Sequence, residues 1–455
     1  MYKSSNKIIV IGGNAAGPAA AAKAKRTNPN AEVILIEAGE FISTGTCELP
    51  YLISGEISDY NKIVYFNPES FYKTKGVKVF TKHYVKNIDT KYKELEVVDK
   101  NTNRTVEFNY DKVILTTGSV AKEISELPFS LENVFKLKSV NDYLNIKNYI
   151  SKLTKGKILI IGSGYIGLET AGAFKQIGYD VSVLDLEKLP MPTMEEEARY
   201  FILDFLTKNK VSFLTSDEKS KFIISDNKFK QFKYKGRYID FDLAIVAAGV
   251  KPNNYLAETA NLKLGKFGGV IVDSKLKTSN PHIYAAGDNI EVVNKITNKN
   301  DYIPLATLAH HFGHIAGVNA AGGNASAKPV ILNTAFKLFD NFIAHVGLTT
   351  KQIIENNYPA RNVTAVVPNK VKVMPCSEKV FGKIIYDTNK KIILGATFVG
   401  KTEVSGYADI ISNMIYNKNS VFSLSEMDYN YTPPLSPFVN LLSVLGRKIK
   451  ENIYG

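Results

Sequence analysis

The feature that most constrains this chain is a unit of apolar run, glycine-rich turn and small-residue helix, which occurs twice. The turns are residues 12–17 (GGNAAG) and 162–167 (GSGYIG), and each is followed by a second apolar run that ends in an acid, Glu37 or Asp185. In such a unit the glycines permit the tight turn, the helix N-terminus holds a pyrophosphate, and the acid accepts hydrogen bonds from a ribose. The repeat therefore predicts two dinucleotide-binding domains with parallel sheets.

The second unit interrupts the first, because apolar runs at 243–247 and 281–288 end in further small-residue turns. Beyond residue 330 the pattern changes to alternating strands without a nucleotide turn. We therefore expect an α/β chain with two Rossmann-like domains, one inserted in the other, and a C-terminal α+β domain. The expected boundaries are 1–118 with 250–328, 119–249, and 329–455.

Two dinucleotides in one chain imply one that delivers electrons and one that holds them, which favours a nicotinamide with a flavin. A carboxylate at Asp185 accepts a free ribose hydroxyl and repels a 2′-phosphate, so NADH is expected as the donor. The nearby Lys188 leaves NADPH possible.

Cys47 is the expected redox group, since it follows a small polar loop and precedes a helix-like run. A helix N-terminus lowers the pKa of a thiol, and we expect that effect here. The only other cysteine, Cys376, is far along the chain, so a dithiol pair at Cys47 is excluded. We expect Cys376 to be buried and inert. Such sparse cysteine use predicts a cytoplasmic protein without a disulfide framework.

The net charge of +13 is spread along the chain and identifies no partner by itself. The basic and aromatic run 228–237 is expected to be a half-exposed hairpin rather than a nucleic-acid site. His310 and His314 have a metal-ligand spacing but no matching carboxylate, and Gly313 is expected to interrupt their helix, so no metal is predicted. Residues 438–450 are expected to form an interface helix, and no membrane association is predicted.

Several motifs together resemble the flavin- and pyridine-nucleotide-dependent disulfide oxidoreductases with a single active cysteine, and within them the branch that reduces coenzyme A disulfide. The motifs are GGNAAG, SxGTCxLPY, YDKVILTTGS, GSGYIGLE, AAGVKPN, IYAAGD, IPLA and YTPPLSP, over roughly residues 7–445. The resemblance implies FAD, a homodimer with a C-terminal dimerisation domain, and reduction of coenzyme A disulfide or a similar disulfide or persulfide by NADH.

The resemblance also implies site residues. FAD would contact Gly12, Ala15, Gly17, Glu37, Val85, Thr117, Gly118, Gly287, Asp288 and Ala306. The nicotinamide cofactor would contact Gly162, Gly164, Tyr165, Ile166, Gly167, Glu169, Asp185 and Gly249, with Tyr165 gating its approach to the flavin. Coenzyme A would contact Lys23, Arg26, Ser43, Thr46, Lys75 and His310. Cys47 would be the nucleophile, and Tyr431 would reach the partner's site across a dimer.

Three departures from the family pattern bear on the activity. Ala15 replaces a histidine of similar NADH oxidases and peroxidases, which weakens an oxygen- or peroxide-reducing role. Met374-Pro375-Cys376 replaces a tyrosine before Pro-Gly, and Glu48 replaces a small residue where a carboxylate opposes a thiolate. An NADH oxidase and a membrane-docked quinone reductase remain alternative functions.

Overall fold

The computed structural model describes residues 6–454, which form three sheet-centred regions connected in the expected nested order. The first stretch contains β1 (Lys7–Ile11), α1 (Ala16–Thr27), β2 (Glu32–Ile36), β3 (Ile42–Thr44), α2 (Leu49–Ser54), β4 (Val64–Phe66), α3 (Pro68–Lys75), β5 (Lys78–Phe80), β6 (His83–Asp89), β7 (Glu94–Asp99), β8 (Arg104–Asn109), β9 (Lys112–Leu115) and β10 (Ser119–Ala121). Two 3₁₀ turns lie at Thr46–Glu48 and Tyr60–Ile63.

The middle of the chain repeats the pattern. It contains β11 (Val134–Phe135), α4 (Val140–Ile150), β12 (Lys157–Ile161), α5 (Tyr165–Gln176), β13 (Asp180–Asp185), α6 (Glu196–Lys208), β14 (Ser212–Thr215), β15 (Lys221–Ser225), β16 (Lys228–Tyr234), β17 (Arg237–Asp240), β18 (Leu243–Val246), β19 (Val250–Pro252), α7 (Tyr255–Thr259), β20 (Ile283–Ala285), β21 (Val292–Val293), β22 (Asn300–Asp301) and α8 (Ala306–Ala320).

The last stretch contains β23 (Asn333–Leu338), β24 (Asn341–Gly347), α9 (Thr350–Glu355), β25 (Ala360–Pro368), β26 (Lys379–Asp387), β27 (Ile393–Gly400), α10 (Ser405–Asn417), α11 (Ser423–Glu426) and α12 (Leu441–Tyr454). Its five strands pair antiparallel in the order β23-β24-β27-β26-β25. This arrangement is the expected α+β region.

Two parallel sheets form the nucleotide-binding framework. Their orders are β20-β9-β1-β2-β5 and β11-β18-β12-β13-β14. The strands are continuous apolar runs because helices or other layers cover both faces. The first sheet regains its outer strand, β20, only after the second sheet is complete, so the predicted insertion of one Rossmann-like unit in the other is confirmed.

Helix α8 packs against α1 at close range. A Cβ on Gly313 would lie 2.3 Å from the carbonyl oxygen of Ala16, and one on Gly317 would lie 2.3 Å from that of Ala20. The expectation that Gly313 interrupts its helix was wrong, since α8 runs continuously from Ala306 to Ala320. The glycine is needed because no side chain fits between the two helix backbones.

A buried ion pair connects the second parallel-sheet region with the C-terminal sheet. The Lys383 ammonium on β26 lies 2.6 Å from a Glu195 carboxylate oxygen and 2.8 Å from one of Glu197, at the start of α6. Lys383 is 5% exposed and Glu195 is 3% exposed. Glu195 also accepts hydrogen bonds from the backbone and hydroxyl of Thr350. The contact joins the two regions through the buried Lys383 and Glu195 and the partly exposed Glu197.

The interpretations of two basic segments are decided by the fold. Residues 228–234 and 237–240 form the predicted antiparallel hairpin, with Phe229 and Phe232 buried. Helix α12 buries Leu441, Leu445 and Ile449 in the core of its own region, so its apolar face is not free to form an interface or to dock on a membrane. Between residues 6 and 454, no helix combines the length and apolarity that crossing a bilayer requires.

Candidate active site

The two glycine turns have the same backbone construction. Gly12 donates its N–H to the Ile36 carbonyl across the sheet (2.8 Å), as Gly162 does to that of Leu184 (2.8 Å). Both glycines have positive φ, +112° and +102°. A Cβ at Gly17 would lie 1.8 Å from the Gly12 carbonyl oxygen. Glycine is therefore required where the helix crosses the strand end.

The acids predicted at the two strand ends are held by these turns. Glu37 accepts hydrogen bonds from the backbone N–H groups of Gly13 and Gly39, both at 2.6 Å. Asp185 accepts from the Ser163 backbone at 2.8 Å and from the Ser163 hydroxyl. Each carboxylate is therefore oriented before any ribose binds.

The turns fit a dinucleotide. Neither α1 nor α5 has a side-chain cap at its N-terminus, so their first N–H groups are available to phosphate oxygens. A Cβ at Gly164 would meet nothing within 4 Å, which leaves open space over the α5 N-terminus. Beside Asp288, the buried amide oxygen of Asn289 has no partner within the described chain. These features fit a dinucleotide at each of the two turns.

The other residues expected at FAD occupy different settings. Thr117 donates to the Asn253 carbonyl at 2.7 Å, and Gly118 has φ +67° with open space where a Cβ would be. Asp288 accepts from the Ser119 hydroxyl at 3.0 Å, after Gly287 at φ +95°. Val85 buries its side chain in the core, so only its backbone, at a strand irregularity, can face a ligand.

Three further expected cofactor residues are exposed. Ala306 is the first residue of α8, Ile166 lies in the first turn of α5, and Gly249 ends the loop after β18 at φ +96°. Ala15 is the N-cap residue of α1 and leaves that helix end without a side-chain acceptor. These placements are compatible with ligand contact.

Cys47 lies in the 3₁₀ turn Thr46–Glu48 directly before α2, as the sequence predicts, and it is exposed. Ser43, at φ +51°, returns the chain to the first glycine turn by donating its N–H to the Gly13 carbonyl at 2.8 Å. The Glu48 carboxylate folds back over Gly45 and accepts from the Tyr65 hydroxyl at 3.1 Å. The thiol is thus presented beside the first nucleotide turn.

The expected lowering of the Cys47 pKa is wrong for this chain. Desolvation by the surrounding protein raises the pKa of the thiol, and the carboxylates of Glu48, Glu169 and Asp288 raise it further. Lys138 is the opposing cation, and burial lowers the pKa of that ammonium. Of these three carboxylates, only Glu48 is expected from the sequence.

Glu169 and Tyr165 lie on α5 where this helix meets both α2 and the C-terminal sheet. Tyr165 shares a hydrogen bond of 2.7 Å with Thr334, and its ring packs edge-on against Phe336. Burial raises the pKa of Glu169 to about 7, and the Tyr51 hydroxyl donates to this carboxylate at 3.4 Å. Tyr51 belongs to the SxGTCxLPY motif, but nothing local in that motif indicates its contact with Glu169.

Three residues expected to contact coenzyme A lie on the paired helices α1 and α8: Lys23, Arg26 and His310. Rings of His310 and His314 are 4.5 Å apart. Burial and the nearby charges of His310, Lys23 and Arg26 lower the pKa of His314. Lys23, Arg26 and His310 therefore lie on one surface, and His314 is an addition to it.

A groove of about 360 Å³ continues this surface and brings Lys75 into it. Its lining includes Arg26, Lys75 and Lys25. The Lys25 ammonium donates to the carbonyls of Pro29 and Ala31, so its charge is partly compensated. Thr46 lies apart from this groove, in the 3₁₀ turn with Cys47. The predicted substrate residues thus divide into a thiol end and a cationic end.

Tyr431 is 47% exposed and packs edge-on against Phe438, which is 78% exposed. Leu435 and Val439 extend this exposed apolar surface. Cys376 is also exposed, with φ +56°, so the expectation that it is buried was wrong. It lies in an irregular segment between β25 and β26, where no packed layer covers it.

Comparison with known proteins gives the following matches. The family model described as pyridine nucleotide-disulphide oxidoreductase matches residues 6–313, and its dimerisation-domain model matches residues 334–441. An NADH oxidase of Methanocaldococcus jannaschii is 31% identical over 431 residues, 94% of this chain and 95% of that protein. A coenzyme A disulfide reductase of Staphylococcus aureus is 29% identical over 445 residues, 98% and 100% of the two chains. The structure of reduced Bacillus anthracis CoADR-RHD has a TM-score of 0.94 at 28% identity, covering 99% of this chain and 81% of the other.

Proposed function

Because this chain belongs to the pyridine nucleotide-disulphide oxidoreductase family, and is an FAD-dependent oxidoreductase, we propose that it reduces coenzyme A disulfide with NADH through Cys47. The observation that carries the proposal is the cationic surface of Lys23, Arg26 and His310 on the helix pair that flanks the first nucleotide turn. Lys75, at the end of α3, lines a groove together with Arg26 and extends this surface. A polyanionic disulfide requires such a surface, whereas dioxygen does not.

The proposed chemistry needs one thiol. The Cys47 thiolate attacks one sulfur of the disulfide, the S–S bond breaks, and one coenzyme A leaves as a thiolate. Two electrons then reduce the resulting mixed disulfide to the Cys47 thiolate and the second coenzyme A thiolate. Bound FAD would supply those electrons from NADH. Attack depends on the thiolate fraction, so Glu48 slows it and Lys138 assists it.

We propose the two turns as the cofactor sites. Glu37 would accept hydrogen bonds from the ribose hydroxyls of FAD. Asp185 would accept them from the ribose of NADH, which it would favour over NADPH. We also propose a homodimer, in which Tyr431 with its exposed apolar neighbours faces the partner's Cys47. The match to a dimerisation domain over residues 334–441 supports the homodimer. The boundaries 1–118 with 250–328, 119–249 and 329–455 are proposed for the three domains.

The test compares Cys47→Ser with Cys376→Ser in the FAD-loaded protein. NADH oxidation is measured anaerobically with coenzyme A disulfide, and oxygen consumption is measured separately. We expect Cys47→Ser to abolish disulfide turnover but to leave reduction of the flavin by NADH intact, and Cys376→Ser to retain both. Disulfide turnover that persists in Cys47→Ser would refute the proposed chemistry.

The substrate is tested through charge. Arg26→Glu is expected to raise KM for coenzyme A disulfide at least about tenfold and to leave KM for the neutral 2-hydroxyethyl disulfide unchanged. Lys91→Glu, on an exposed turn, is the matched control. Equal effects on both disulfides would contradict a coenzyme A site.

An NADH oxidase is the second candidate, and the relative at 31% identity favours it. It predicts rapid oxygen consumption without an added disulfide. A fast oxygen reaction together with negligible disulfide reduction would establish it instead.

A further inference from the structure

A narrow cleft reaches the carboxylate of Glu169 from the side of the C-terminal sheet. Its volume is about 50 Å³, enough for a few ordered waters. The lining includes Tyr51, Ser54, Glu56, Glu169, Gln176 and Lys337. The cleft therefore offers water a polar route to a carboxyl group between α2 and α5.

Tyr51 connects this carboxyl group to the thiol region. Its hydroxyl donates to Glu169 at 3.4 Å, and it lies about one helical turn after Cys47. A thiolate at Cys47 raises the pKa of Tyr51, and the Glu169 charge raises that of Cys47, so the three groups lie within electrostatic range of one another.

The proposed reaction has an unassigned proton. NADH, one proton and a disulfide give NAD⁺ and two thiols. The hydride of NADH supplies the two electrons that break the S–S bond. Once it has given up these electrons, the same hydrogen is one of the two protons that the thiolates take up. The second proton comes from solvent, and no histidine is near Cys47 in sequence to deliver it.

We propose that Tyr51 and Glu169 form a proton-exchange pair that connects the Cys47 site to solvent through the cleft beside Lys337. This role rests on the proposed disulfide reduction. The Glu169 carboxylate takes a proton from water in the cleft. The Tyr51 hydroxyl passes its proton toward the sulfur, and it then regains a proton from Glu169. Both groups return to their starting protonation state after each turnover.

The electrostatics of Glu169 suit this exchange. Its pKa of about 7 makes both protonation states accessible at neutral pH. The charged and titratable groups around it are Tyr51 and Cys47 near α2, Glu56 beyond that helix and Lys337 on β23, and Tyr165 precedes it by about one turn on α5. The Tyr51 hydrogen bond lowers the Glu169 pKa, so its loss raises that pKa.

The first test measures alkylation of Cys47 by iodoacetamide against pH, in FAD-loaded protein without NADH or disulfide. Peptide mass spectrometry separates Cys47 from the exposed Cys376. Ionisation of Glu169 raises the thiol pKa, so the wild-type rate should rise less steeply above about pH 7. Glu169→Gln should remove this inflection, and Tyr51→Phe should move it upward by about 0.5 to 1 pH unit. Tyr92→Phe, on an exposed turn, should leave it unchanged.

The second test separates proton transfer from a merely electrostatic role. At fixed pH, turnover of the aromatic disulfide 5,5′-dithiobis(2-nitrobenzoate) by Tyr51→Phe should fall at least about tenfold and recover as imidazole is added, while wild-type turnover should not respond. Absence of rescue, or an inflection unmoved in either variant, overturns the proposal. Because alkylation requires no substrate, its result is independent of whether coenzyme A disulfide is the acceptor.

Discussion

Removing the Lys383 ammonium should destabilise the protein strongly. In Lys383→Met the carboxylates of Glu195 and Glu197 lose a cation at 2.6 and 2.8 Å, and Glu195 is 3% exposed. An uncompensated buried charge costs about 3–5 kcal/mol, well above the ~0–1 kcal/mol of a surface pair. Methionine keeps most of the side-chain volume, so packing changes little. We expect the melting temperature to fall by roughly 5 °C or more.

The assay is differential scanning calorimetry of the FAD-loaded protein at pH 7.5. The chain has no tryptophan whose fluorescence would report unfolding. Glu195→Gln with Lys383→Met completes a double-mutant cycle, and the double variant should recover most of the loss because no charge remains buried unpaired. Lys401→Met is the control, because Lys401 pairs with Glu378 at the surface. A loss in Lys383→Met no larger than in this control would refute the reasoning.

Four other outcomes are expected. Glu48→Gln should lower the pKa of the Cys47 thiol and increase its alkylation rate at pH 7.5, and an unchanged rate would show that Glu48 does not act on the sulfur. Asp185→Ser should improve kcat/KM for NADPH relative to NADH about tenfold, measured by steady-state kinetics, and an unchanged ratio would remove Asp185 from cofactor selection. Gly17→Ala should abolish FAD retention, measured as flavin absorbance per chain, because its Cβ would lie 1.8 Å from a carbonyl oxygen. Burial lowers the pKa of His345 to about 4, so the folded protein binds fewer protons than the unfolded chain between about pH 6.5 and 4. The free energy of unfolding should therefore fall by roughly 3 kcal/mol as pH decreases through this range. His345→Gln should flatten that dependence in calorimetry, and an equally steep loss would show that other groups cause it.

The nucleotide framework could be predicted because its requirements are local. Gly12 and Gly162 have the positive φ of the turn that follows each strand, and a Cβ on Gly17 or Gly167 would collide with the carbonyl oxygen of Gly12 or Gly162 in the same turn. The nested order of the two parallel sheets followed from the same repeats. Such features leave a direct trace in the sequence.

The electrostatics of the thiol could not be predicted in the same way. Apart from the adjacent Glu48, the charges that act on Cys47 come from Glu169, Asp288 and Lys138, which are distant in sequence and converge only in the fold. The ion pair of Lys383 and the hydrogen bond of Tyr51 have the same origin. A lone lysine on a strand or a tyrosine in a helix gives no local sign of its partner.

The contact of Gly313 and Gly317 with α1 links two properties of the protein that are usually adjusted separately. Helix α1 begins at the first nucleotide turn and carries Lys23 and Arg26, while α8 carries His310. With backbones this close, neither helix can shift alone. A change of acceptor specificity that moved α8 would therefore also disturb the retention of the cofactor. We expect new acceptor specificities to evolve through exchange of charged residues on the helix surfaces rather than through displacement of a helix.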